Sequence, residues 1–105
     1  MKLSILFYAF ESNETLPIIE DIKNKLQSQL NNIPSDDIEV IFKTDPGEVS
    51  IDEMRSWLLE QAEAKKYVFI STDTEIKDNF VLLRYNAIKY GWKADKLIEL
   101  NIYTK

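Results

Sequence analysis

Two stretches of this chain are apolar without alternation: Leu3 to Phe10, broken only by Ser4, and Tyr67 to Ile70. A strand with one wet face alternates apolar and polar residues, whereas an unbroken apolar strand must be covered on both faces. That condition is met by a mostly parallel sheet sandwiched between helices, and the residues between and around the two runs carry helical periodicity.

Glu11 to Thr15 supplies N-capping side chains and acids, and Pro17 fits a first helical turn, where its missing N–H would be unpaired anyway. Ile18, Ile22, Leu26 and Leu30, with Ile19 beside them, place one apolar stripe on a helix reaching about Leu30, and Lys23, Lys25, Gln27 and Gln29 take its wet side. Asn31 to Asp37 is rich in turn formers, and Ile38 to Lys43 then alternates as an edge strand does. Asp45-Pro46-Gly47 ends that strand, and Ser50 with Glu53 forms a capping box for a second helix, ending near Lys65. Its buried face is Met54, Leu58 and Ala62 with Ile51 and Leu59.

After Tyr67 to Ile70, Asp78 is placed to cap a third helix running to about Tyr90, with Gly91 as its C-terminal stop. Phe80, Val81, Leu83, Ala87, Ile88 and Tyr90 make this helix apolar over much of its girth, which predicts deep burial or a protein partner, including a second copy. Leu97 to Tyr103 alternates, with Ile98, Leu100 and Ile102 on one face, and reads as a closing edge strand of either direction.

The expected architecture is therefore one α/β domain over residues 1–105, a three-layer β-α-β-α-β-α-β unit with a four-stranded, mostly parallel sheet in Rossmann-like style. Right-handed crossovers, with the two most apolar strands central, favour the order 2-1-3-4. In such a sheet ligands settle outside the carboxyl ends of the strands, at the point where successive crossovers go to opposite faces. Here that point gathers Glu11, Ser12 and Asn13 from the first strand and Ser71, Thr72, Asp73, Thr74 and Glu75 from the third, with Asp45 leaving the neighbouring second strand. Asp73 and Glu75, two apart in extended chain, would point the same way and together could hold a hard cation such as Mg²⁺ or Mn²⁺. The competing reading is that they favour the positive end of the third helix, that Asp45 forms a turn before Pro46-Gly47, and that Ser12 and Asn13 are caps.

Composition narrows the chemistry. The chain has no histidine and no cysteine, so proton transfer would fall to Asp, Glu, Lys or Tyr, and thiol chemistry is absent; the lack of cysteine fits a reducing, cytoplasmic setting. A net charge of −5, from 18 acidic and 13 basic residues, argues against nucleic acid, which needs a basic surface. Only Gly47 and Gly91 are glycine, so no phosphate cradle of the P-loop or dinucleotide kind is present, nor is any serine in a nucleophile elbow. The apolar N-terminus meets Glu11 before any small-residue cleavage site and reads as a strand, and no stretch approaches the roughly 20 apolar residues of a membrane span.

Ser4 to Glu14 resembles the opening strand, with its polar turn into the first helix, of the nucleotide-sugar-binding half of family 2 glycosyltransferases, which have the GT-A fold. Ile38 to Gly47 is similar to their second strand, which ends in an acid and a glycine that contact the base, and Ala64 to Ile76 looks like the strand running into their metal-binding DxD. The resemblance implies a nucleotide-sugar ligand and a Mg²⁺ or Mn²⁺ cofactor held at Asp73. Ser71 stands where the motif's first aspartate would be, leaving Glu75 as a substitute. One strand-helix unit and the whole acceptor-binding half have no counterpart here. The leading expectation is thus a small non-catalytic module, a cut-down relative of such transferases, that binds a protein or small ligand. The alternatives are a metal-dependent nucleotide-sugar-binding protein or transferase using Asp45, Asp73 and Glu75, and an accessory protein of a phage or mobile element that inhibits a host factor.

Overall fold

The computed structural model describes residues Met1–Lys105 and forms a four-stranded sheet in the order β2-β1-β3-β4. The elements in chain order are β1 (Leu3–Phe10), α1 (Leu16–Leu30), β2 (Ile38–Asp45), α2 (Ile51–Gln61), β3 (Lys66–Ile70), α3 (Phe80–Lys89), α4 (Ala94–Glu99) and β4 (Tyr103–Thr104). β1 pairs in parallel with β2 along its whole length, Leu3 opposite Ile38 and Phe10 opposite Asp45. On its other side it pairs in parallel with β3, Ser4 opposite Tyr67 and Phe7 opposite Ile70. β4 runs antiparallel to β3 and touches only Lys66 and Tyr67.

The unbroken apolar character of β1 has the expected cause. Leu3, Ile5, Phe7 and Ala9 face one layer, where they pack with Ile19, Ile22 and Leu26 of α1 and Phe80, Val81 and Tyr85 of α3. Leu6 faces the opposite layer and packs with Leu58 of α2 and with Ala62 just past its end. Helices α1 and α2 thus lie on opposite faces, as right-handed crossovers from β1 to β2 and from β2 to β3 require. Ser4, the one fully buried polar residue of β1, donates its hydroxyl to the Glu39 carboxylate and accepts from the Ala64 N–H, so its burial leaves no polar group unpaired.

Several local expectations are corrected. Leu97 to Tyr103 is not a strand: Ala94–Glu99 is helical, and only Tyr103 and Thr104 join the sheet. Asp95 in the first turn and Lys96 in the last complement the helix dipole. Leu97 then packs with Ala87 and Ile102 while Ile98 is exposed, so Leu97 and Ile98 exchange the places the alternation gives them, whereas Ile102 is buried and Leu100 packs beside it. The helix ends in a Schellman motif: Asn101 adopts φ 59°, its N–H donates to Ile98 O at 2.9 Å, and the Ile102 N–H donates to Leu97 O at 2.9 Å. α3 ends the same way, with Gly91 at φ 69° and the Trp92 N–H donating to Ala87 O at 2.8 Å.

α2 stops at Gln61 rather than near Lys65, because the next N–H groups turn toward the sheet: Glu63 N–H donates to the Glu39 carboxylate and Ala64 N–H to Ser4. Ile18 and Ile51 are exposed instead of facing the core. Asp78 does not cap α3; the N-cap position is Asn79, which makes no side-chain cap bond. That task falls to Gln29, which leaves the wet side assigned to it: its Oε1 accepts from the Val81 N–H at 2.8 Å and its Nε2 donates to Lys77 O at 2.8 Å. The apolar girth of α3 is taken up by the sheet and α1 on one side and by α4 on another, leaving Leu82 and Tyr90 in solvent.

Candidate functional site

The carboxyl ends of β1, β2 and β3 lie together, as the 2-1-3 order dictates, and most polar side chains there are engaged in building the turns that leave the strands. Asp45 Oδ2 accepts three backbone N–H groups, from Gly47 at 2.7 Å, Glu48 at 2.6 Å and Val49 at 3.1 Å. The bonds from Val49, Gly47 and Glu48 outweigh desolvation and hold this carboxyl below the ordinary aspartate range. Gly47 permits the turn, at φ 113°. Asp45 is thereby the organiser of the β2–α2 loop.

Ser12 and Thr15 form a reciprocal pair before α1. Ser12 N–H donates to Thr15 Oγ1 at 2.8 Å, Thr15 N–H to Ser12 Oγ at 3.2 Å, and Thr15 Oγ1 donates to Phe10 O at 2.8 Å. Glu11 accepts a hydrogen bond from the Thr44 hydroxyl across the β1–β2 pair, and Asn13 is exposed. After β3 the chain makes a tight turn, in which the Ser71 N–H donates to Thr74 Oγ1 at 3.0 Å and the Thr74 N–H to Ser71 O at 3.1 Å. This turn replaces the extended geometry expected for Ser71 to Glu75.

The turn sends the two carboxylates of that segment to different depressions. Asp73, with Ser71 and Thr72, forms one wall of a cleft of about 190 Å³ between the ends of β1 and β3. Its remaining lining is Tyr8, Ala9 and Phe10 of β1 and Ile51 and Met54 of α2. Glu75 instead borders a separate slot beside the β3 edge. No three Asp, Glu, His or Cys side chains converge where one cation could hold them. Glu11, Ser12, Asn13 and Asp45 ring the neighbouring β1–β2 end without lining the cleft.

The apolar wall was hidden in the sequence because each of its members reads as core: Tyr8 and Phe10 belong to the β1 run, and Ile51 and Met54 fall on the apolar stripe of α2. Their shared cleft follows from helix placement. α2 packs over β1 and β2, so its N-terminal turn overhangs the carboxyl end of β1 and leaves Phe10 and Ile51 about two-fifths exposed, at 38% and 43%. No helix of the chain is long and apolar enough to cross a membrane. No family model, curated protein or solved structure matches the chain.

Proposed function

We propose that this protein is a non-catalytic α/β binding module, and that the cleft between the carboxyl ends of β1 and β3 takes an apolar or aromatic group of a protein partner or small ligand. The observation that carries this reading is the division of labour at the strand ends. Asp45, Ser71 and Thr74 are engaged in turns and Asp73 is the one carboxylate lining the cleft, while Phe10 and Ile51 supply an accessible apolar wall backed by the buried Met54. Size points the same way. Sites for drug-sized ligands measure roughly 300–1,000 Å³, and a cleft of about 190 Å³ suits a single side-chain-sized group better than a whole nucleotide-sugar. The lack of histidine and cysteine adds support, since the remaining acid and base candidates there are carboxylates without a partner constellation.

The transferase resemblance supplies the rival reading, with Asp73 holding Mg²⁺ or Mn²⁺ under a nucleotide diphosphate. Calorimetric titration with UDP-sugars in the presence of Mn²⁺ separates the two. A binding module of the kind proposed gives no heat from that panel, whereas a saturable signal lost in Asp73→Ala would replace it with the metal-dependent reading.

A further inference from the structure

A second site lies at the outer edge of β3. In a strand, alternate residues present their backbone N–H and C=O to the same side. The outward side of β3 is fixed by its pairing with the C-terminus: Lys65 O accepts from the Lys105 N–H at 2.8 Å, and Tyr67 lies opposite Tyr103. The next outward residue is Phe69, and no strand meets it, because the chain turns away into the Schellman motif that closes α4, where the Ile102 N–H is already bonded to Leu97 O. Beyond β4, Phe69 therefore presents an unpaired stretch of sheet edge, shorter than the outer edge of β2 but, unlike it, opening beside a slot, and such an edge is a template for an added strand.

This edge opens into a slot of about 390 Å³, within the range of real ligand sites and twice the volume of the carboxyl-end cleft. Its floor toward α3 is formed by Phe80, Leu83 and Arg84, and its far end by Leu100. Arg84 is half-buried here, with its guanidinium 3.7 Å from the Phe80 ring centroid. Two of its N–H groups are engaged, Nε donating to Leu100 O at 3.0 Å and Nη1 to Phe80 O at 3.1 Å. The rest of its five-donor fork has no acceptor, and none of the chain's ion pairs includes it. Glu75 and Lys77 border the slot and offset one another in charge, so Arg84 sets its sign. The only other arginine, Arg55, also lacks a carboxylate partner and stacks 4.4 Å over the Phe69 ring from the opposite sheet face. An acidic chain thus places both of its arginines, unpaired, about one open strand edge.

We infer that this edge is a docking site for an extended acidic peptide segment of a partner protein, which adds to the sheet beside Val68–Ile70 and delivers a carboxylate to Arg84. The pleat fixes the pattern that fits. The peptide residue opposite Phe69 shares its face and lies toward Arg55, while the residues on either side point to the α3 face and reach the slot. A segment with an apolar β-branched residue flanked by glutamates satisfies both faces, and the planar fork of Arg84 suits a carboxylate in two-point contact. This inference is independent of the carboxyl-end cleft, whose lining residues it does not use.

The test uses the intact protein and a fluorescein-labelled peptide, acetyl-Thr-Thr-Glu-Val-Glu-Thr-Thr-amide. Anisotropy gives affinity and ¹⁵N spectra give position. Saturable binding is expected, with the Phe69 amide moving downfield as its N–H gains an acceptor. At least tenfold weakening is expected when both glutamates are replaced by glutamine, and similar weakening when the central peptide N–H is methylated. Arg84→Lys, which keeps the charge but not the fork, should weaken binding severalfold; it also releases the Leu100 contact, so the peptide variants serve as the test that cannot be confused with misfolding. Absence of binding, equal binding of the glutamine peptide, or full reproduction of the shifts by N-acetylglutamate at equal concentration would each overturn the inference. The last of these would mean a small-carboxylate pocket with no strand addition.

Discussion

Replacing Gln29 by alanine tests how the first and third helices are joined. Gln29 closes two bonds at once, accepting from the Val81 N–H and donating to Lys77 O, each at 2.8 Å. Val81 itself is fully buried at the start of α3, a helix whose N-cap residue makes no side-chain bond. Truncation strands a helix-terminal donor, and a buried donor left without a partner costs roughly 1–3 kcal/mol. Alanine's better helix propensity returns only a few tenths of a kcal/mol. Taking about 2 kcal/mol, and an unfolding entropy of roughly 2.1 cal/mol/K per residue over 105 residues, Tm should fall by about 9 °C. Differential scanning calorimetry measures this directly. Gln27→Ala, at an exposed position of the same helix, is the control and should leave Tm within about 2 °C. Gln29→Glu keeps an acceptor for Val81 but loses the donor to Lys77, and should fall between the two. If Gln29→Ala behaves like Gln27→Ala, water satisfies the Val81 N–H freely and the clamp contributes nothing.

Other substitutions probe separate links. Asn101 sits at φ 59°, so Asn101→Gly should preserve stability while Asn101→Val lowers it by about 1–2 kcal/mol in urea titrations; equal midpoints would show that α4 does not depend on its left-handed stop. The Tyr85 hydroxyl donates to Asp37 Oδ2 at 2.6 Å; this bond, aided by Lys2 against desolvation, lowers the Asp37 pKa from 3.8, and the same bond, reinforced by desolvation, raises that of Tyr85 above 10.0. The stability from Asp37 is therefore complete above pH 3.8 and lost as pH falls through its lower folded value. That from Tyr85 is complete below pH 10.0 and lost as pH rises through its higher folded value. Tyr85→Phe should flatten both arms of a urea-midpoint profile, and a profile unchanged in shape would refute the pairing. Asp45→Asn should likewise remove an acid-limb loss of stability, since a neutral amide oxygen accepts the Gly47, Glu48 and Val49 N–H groups more weakly at every pH.

What the sequence disclosed follows from how local each signal is. The apolar run Leu3–Phe10, broken only by Ser4, reads as a central strand, and from that, with handedness, came the 2-1-3-4 order. The end of α3 was equally plain, since Gly91 has the freedom its Schellman stop requires. The same stop in α4 was masked because Asn101 is a weaker signal, and because Leu97 to Ile102 carries an alternation that mimics a strand; packing of Leu97 on Ala87 decided the matter. The role of Gln29 was illegible, as its partners lie about fifty residues away in the chain.

Topology was enough to put Ser71, Thr72 and Asp73 at the carboxyl end of β3, where they line the cleft, but the divergence of Asp73 from Glu75 depends on the Ser71–Thr74 turn. That turn rests on two side-chain and backbone bonds that compete closely with an extended exit from β3. The apolar wall of the cleft and the open Phe69 edge are products of tertiary placement, of α2 over β1 and of a two-residue β4, and no local pattern announces either.

Whether the cleft at the carboxyl ends of β1 and β3 takes an apolar group is decided by ¹³C-methyl spectra of Ile51 and Met54, recorded with the backbone amides of Ser71 to Asp73 during titration with side-chain-sized fragments such as indole and p-cresol. The binding-module reading predicts saturable shifts confined to these residues, with a Kd of about 1 mM, near 4 kcal/mol of binding free energy, and no response to UDP-glucose with Mn²⁺. Fragments that leave Ile51 and Met54 unmoved, while Mn²⁺ and UDP-glucose broaden the signals around Asp73, would contradict it.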